Sequence, residues 1–139
     1  MAAGGEPLPQ QPLETILMRQ LASYLSVPVL VMDTHGTIVF FNEPAEKILG
    51  VRFDESGRLS PARAAELVEI TDAAGNPVPD ARRPLLVALR ERRPAFACNF
   101  VLRHSDGVRL EVETTAFPLV GQAGVMLGAV AMFWETVPK

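Results

Sequence analysis

Between Leu13 and Leu25, apolar residues fall at Leu13, Ile16, Leu17, Leu21, Tyr24 and Leu25, a spacing of threes and fours that predicts one amphipathic helix. Pro28 disfavours a helical conformation at the residue before it, so the helix is expected to close within Ser26-Val27-Pro28. The pattern then changes period. Val29-Leu30-Val31-Met32 is short and rich in β-branched residues, and Thr37–Phe41 reads as a second strand. Asp33-Thr34-His35-Gly36 lies between them and supplies turn chemistry, which predicts a hairpin. Asn42 followed by Pro44 and closed by Gly50 marks a short helix at 44–49.

The middle of the chain is less regular. Ala62–Ile70 reads as a helical stretch and Asp72–Pro79 as a loop. Arg82–Arg92 carries Leu85, Leu86 and Leu89 on one side and is predicted as a second amphipathic helix, opened by Pro84 and stopped by Pro94. Strict alternation follows. Phe96, Cys98, Phe100 and Leu102 share one face of Ala95–Arg103, and Ser105-Asp106-Gly107 is a hairpin signal. In the next strand Val108, Leu110, Val112, Thr114 and Ala116 oppose Arg109, Glu111 and Glu113. Val125–Trp134 is apolar on both faces, which predicts a central strand covered on each side. The sum is an α+β domain: a five-stranded antiparallel sheet, short helices on one face and an N-terminal amphipathic helix. Residues 1–12 read as a disordered leader, 13–26 as the helix and 27–136 as the folded domain.

Composition narrows the function classes. At 139 residues the chain can bury a real core without disulfides or a structural metal. A net charge of −3 with no basic block argues against a nucleic-acid surface. Cys98 is the single cysteine, so there is no internal disulfide framework. The first residues lack the order of a secretory signal, and Val125–Trp134 is far short of the roughly 20 residues that span a bilayer. A cytoplasmic, soluble domain with no membrane contact is expected.

From Leu21 to Thr136 the residues resemble the PAS sensor domains. Val27–Asp33 followed by Gly36, Ile38 and Asn42 looks like that family's opening hairpin, and Asn42-Glu43-Pro44-Ala45 with Leu49-Gly50 like its Asn-led helix. Asp72–Pro77 and Pro84-Leu85 resemble the loop before its long helix. Asp106-Gly107, Ala116–Leu119, Gly124 and Gly128-Ala129-Val130 resemble its last three strands. Glu135-Thr136 stands where the family often carries Asp-Ile-Thr; here the Asp is Glu and the Ile is missing.

The resemblance implies a pocket between sheet and helices, with Ile38, Phe40, Ile48, Leu49, Leu85, Leu89, Phe100 and Val112 as candidate walls. Asn42 is a further candidate contact, and a helix cap on its local pattern. Haem-binding members place a His on the long helix. Here His35 and His104 both sit beside turn glycines, and they read as solvated turn residues. Flavin photoreceptors of the family use a Cys within Asn-Cys-Arg-Phe-Leu-Gln, which is absent, and Cys98 reads as a small buried hydrophobe. One Cys and two distant His make no metal-ligand set, and Glu111 and Glu113 share a strand face with Arg109 as their neighbour, a solvated, charge-balanced face. No cofactor and no enzyme activity are expected, and a small apolar or amphipathic ligand suits the pocket.

Two roles fit these expectations. The first is a sensory or regulatory module acting on an effector, such as a histidine kinase or nucleotide cyclase, in the same chain or as a separate partner. The second is a ligand-free dimerisation module. In both, a homodimer is expected through Leu13, Ile16, Leu17, Leu21 and Leu25, with Met126, Val130, Met132 and Trp134 of the last strand. The helix stripe is equally suited to cover its own sheet. The chain ends just after the last strand, where an output helix would begin, and this reads as a fragment of a longer regulator.

Overall fold

Two five-residue turns organise the ends of the short strands by the same device. The Asp33 side chain accepts from the backbone N–H of His35 (2.8 Å) and Thr37 (3.0 Å), and Gly36 takes a positive φ. Asp72 repeats this with Ala74 and Asn76, both at 2.9 Å, ahead of Gly75. The computed structural model describes residues 13–104, 107 and 109–136; the leader at 1–12 lies outside them, as do two residues of the Ser105-Asp106-Gly107 hairpin signal.

Along the chain run helix α1 (Leu13–Tyr24), strands β1 (Val29–Asp33) and β2 (Ile38–Phe41), and helices α2 (Glu43–Leu49), α3 (Phe53–Ser56) and α4 (Pro61–Leu67). Strand β3 (Val68–Thr71), helix α5 (Pro84–Glu91) and strands β4 (Ala95–His104), β5 (Arg109–Val120) and β6 (Met126–Glu135) complete it. Caps set several boundaries. Asn42 Oδ1 accepts from Ala45 N–H at 3.1 Å and Gly50 closes α2 with φ +78°. Ser60 caps α4 through Arg63 N–H at 3.1 Å, with Pro61 in its first turn.

The described strands form one antiparallel sheet in the order β2-β1-β6-β5-β4-β3, with β6 near its middle. That is six strands, where alternation and turn signals predict five. The extra one is β3, which the expected helical stretch Ala62–Ile70 hides: the helix stops at Leu67, and Val68–Thr71 pair with His104–Val101 of β4. Val68 and Ile70 are β-branched residues two apart, and pairing with β4 outweighs their place in a helical spacing.

A second correction concerns Cys98. Ala97 pairs with Thr114 but Phe100 with Val112, so three steps along β4 answer two along β5. This bulge inverts the faces. Phe96 and Cys98 are exposed, whereas Phe100 is buried and Leu102 points into the core. Cys98 is therefore not the buried hydrophobe that unbroken alternation implies.

Both faces of the sheet are covered. On the inner face, Ile38, Phe41, Phe100, Val112 and Phe133 pack with Ala45 and Leu49 of α2 and Leu67 of α4. Beside them Ala88 of α5 meets Ala116, Ala129 and Ala131, and side chains this small let the helix lie close to the sheet. On the outer face α1 lays Met18 and Ala22 over Val29, Val31 and Val130. The helix thus covers its own sheet, and Val130, one of the residues expected at a dimer interface, is fully buried beneath it.

Candidate functional site

A cavity of about 390 Å³ opens between the inner face of the sheet and helices α2, α4 and α5. This is within the range of small-ligand sites, roughly 300–1,000 Å³. Its walls are apolar. Leu30 and Met32 come from β1, Ile38 from β2, and Ile48 and Leu49 from α2. Val68 and Ile70 of β3, Phe100 and Leu102 of β4, and Ala131 and Phe133 of β6 close the far side. The β4 bulge is what turns Phe100 and Leu102 inward.

Charge is confined to the rim. His35 comes from the β1–β2 turn, Asp80 and Arg83 from the segment entering α5, and Arg90 from the helix itself. Arg83 Nε donates to the Val78 carbonyl at 3.1 Å, and Arg90 pairs with Asp80 at 3.4 Å with both side chains more than half exposed. Thr114 adds one hydroxyl to the wall. Arg83, Asp80 and Arg90 were not candidates from the sequence. The available signal was the seven-residue interval from Arg83 to Arg90, two helical turns that place both on one side of α5.

The sequence-derived pocket set divides. Ile38, Ile48, Leu49, Leu85 and Phe100 line the cavity. Val112 is buried in the adjoining core, and Leu89 of α5 packs against the alanine cluster around Ala88. Phe40 lies on the other face of the sheet, where the Arg19 guanidinium sits 4.9 Å from its ring and Phe53 meets it edge-on at 5.2 Å. Asn42 is also outside the cavity. It is buried behind α2, where Oδ1 accepts from Val29 and Ala45 N–H and Nδ2 donates to the Ala22 and Val27 carbonyls.

The histidines part company. His35 is exposed on the rim, but His104 Nε2 lies 2.9 Å from the Leu49 carbonyl and fills the space beside Gly50. It pins the end of β4 to the end of α2 and is not a solvated turn residue. Among the described residues no group of three or more His, Cys, Asp or Glu could hold a metal ion. Among them, too, no helix is long and apolar enough to cross a membrane.

The candidate interface residues also separate. Leu13, Ile16, Leu17 and Leu21 form an exposed apolar face on α1, at 63, 40, 52 and 53% exposure. Leu25 and Met132 are half-buried against the cluster under α1, and Met126 is half-buried at the other end of β6. The Trp134 indole N–H donates to Glu113 at 2.8 Å. Cavity and exposed face lie on opposite sides of the same strands. Leu30 and Met32 of β1 line the cavity, while Val29 and Val31 lie beneath α1. Ala131 and Phe133 of β6 face the cavity, and Val130 and Met132 face the helix.

A family model described as a PAS domain matches residues 26–134. Among solved structures, the PAS domain of Bordetella pertussis BvgS is 17% identical with a TM-score of 0.58, covering 91% of this chain and 88% of that one. The PAS domain of nitrogen regulation protein NR(II) from Vibrio parahaemolyticus is 16% identical with a TM-score of 0.61, covering 86% and 98%. The fungal blue-light photoreceptor Vivid, as its light-state dimer, is 14% identical with a TM-score of 0.58, covering 94% and 97%. At these identities the likeness is one of fold. No curated protein sequence matches the chain.

Proposed function

This chain belongs to the PAS domain family, and from that premise we propose that it is a cytoplasmic sensory module that binds and relays and does not catalyse. A small ligand in the cavity, or the state of a subunit interface, biases an effector such as a histidine kinase or nucleotide cyclase. The observation that carries this reading is the alternation along β1 and β6, which places cavity wall and helix-bearing surface on successive residues of one strand. Core packing is dense and transmits strain, so a ligand that wedges Met32 or Phe133 also loads the strands under α1. Such a ligand shifts an equilibrium only by binding its two states unequally.

The exposed face of α1 supplies the output in this reading. Leu13, Leu17 and Leu21 lie four residues apart along one ridge, and such a ridge meets its own copy across a two-fold axis. Complete burial of a leucine contributes about 1.5–3 kcal/mol, and these side chains have about half of that still to gain. Set against an association cost of roughly 4–15 kcal/mol, these three leucines with Ile16 beside them on each subunit give a concentration-dependent dimer rather than a permanent one. Vivid, which shares the fold, forms a dimer in its light state.

Sedimentation velocity across a concentration series tests it. The wild-type chain is expected to pass from monomer to dimer, and Leu17→Glu to remain monomeric with an unchanged circular dichroism spectrum. A wild-type chain that stays monomeric throughout would remove dimerisation from the account.

A further inference from the structure

The geometry points to an amphipathic anion as the occupant of the cavity: an apolar body within the sheet–helix space and a carboxylate at the Arg83–Arg90 rim. This rests on the cavity being a ligand site and adds the chemistry of what fills it. Size sets the body. A dry cavity of about 150 Å³ holds benzene, so 390 Å³ admits an apolar group of roughly a dozen heavy atoms. The wall contributed by the β-strands and α2 is aliphatic and aromatic, with the Thr114 hydroxyl as its one polar side chain.

The rim sets the charge. Asp80 is the one acidic side chain lining the cavity among the described residues, against two guanidiniums. Asp80 engages Arg90 at 3.4 Å in an exposed pair, which contributes little and exchanges easily. Arg83 uses Nε on the Val78 carbonyl, which fixes the plane of its guanidinium, and its terminal nitrogens join none of the ion pairs found among the described residues. A guanidinium held this way presents a planar fork suited to a carboxylate. An uncharged apolar ligand would leave that fork unused, and a cation would meet two like charges. An anionic headgroup answers the one unbalanced positive charge at the rim.

Isothermal titration of the full chain with octanoate, 1-octanol and octylammonium tests this, because the three share a tail and differ in head charge. Octanoate is expected to bind at least tenfold more tightly than octanol, with octylammonium weakest. In Arg83→Gln the octanoate advantage should vanish while octanol affinity is unchanged, which also reports that the cavity is intact. In Asp80→Asn octanoate should bind several-fold more tightly, since the competing carboxylate is gone. Equal binding of octanoate and octanol, or an advantage that survives Arg83→Gln, would overturn the anionic headgroup while leaving the cavity a ligand site. Failure of all three to bind would overturn the cavity reading and this inference with it.

Discussion

Replacing Asn42 tests how α1 is held to the domain. The side chain is buried and uses both ends: Oδ1 accepts from Val29 N–H (3.0 Å) and Ala45 N–H (3.1 Å), while Nδ2 donates to the carbonyls of Ala22 (3.0 Å) and Val27 (2.8 Å). One residue thereby ties the end of α1, the start of β1 and the first turn of α2. At about 1 kcal/mol net for each hydrogen bond, Asn42→Ala is expected to cost about 3–4 kcal/mol. That is a large share of a domain stability of roughly 5–15 kcal/mol. Asn42→Asp separates the two ends. The carboxylate keeps both accepting contacts, so α2 stays capped, but it offers the Ala22 and Val27 carbonyls no donor. Its expected cost is about 2 kcal/mol or more, with amide protection lost selectively across Leu13–Tyr24. Urea unfolding followed by circular dichroism gives the free energies, and hydrogen exchange gives the location. A loss below about 1 kcal/mol for Asn42→Ala, or protection lost equally in α1 and α2 for Asn42→Asp, would refute this reasoning.

Other substitutions probe close contacts. A Cβ at Gly128 would run into the Met32 carbonyl, so Gly128→Ala must part β1 from β6; a loss of at least about 2 kcal/mol is expected, seen as a melting point lower by roughly 8 °C or more. Gly50→Ala meets both a positive φ and the His104 ring, and its cost should shrink in a His104→Ala background; equal costs in a double-mutant cycle would contradict the contact. Cys98 is exposed beyond the β4 bulge, so a thiol reagent should label it in the native protein and Cys98→Ser should change stability by no more than about 0.5 kcal/mol. Labelling only after denaturation would place the thiol on the inner face.

Local chemistry made much of the fold legible. Asn42, Pro44 and Gly50 announce α2 because a cap acts through residues three apart, and the Asp33 turn is written in consecutive residues. The double-sided apolar pattern of Val125–Trp134 placed β6 centrally, as the strand order shows. Features decided by distant partners were not readable. The helix-to-strand handover at Leu67–Val68 depends on pairing with β4, and the Ala97–Phe100 bulge adds one residue to an alternation that otherwise runs unbroken. The cavity is a matter of which apolar side chains fail to meet. Val112 and Phe100 have the same periodic signature, yet one fills the core and the other lines the space. Arg83 and Arg90 look like any solvated helix face until the fold sets them at its mouth.

Hydrogen exchange of the full chain with and without saturating octanoate is the most direct test of the relay through the sheet. Altered protection is expected in β1 and β6 and also across Leu13–Tyr24 of α1, which lies on the face away from the cavity. Changes confined to the cavity walls, with α1 indifferent to the ligand, would contradict it.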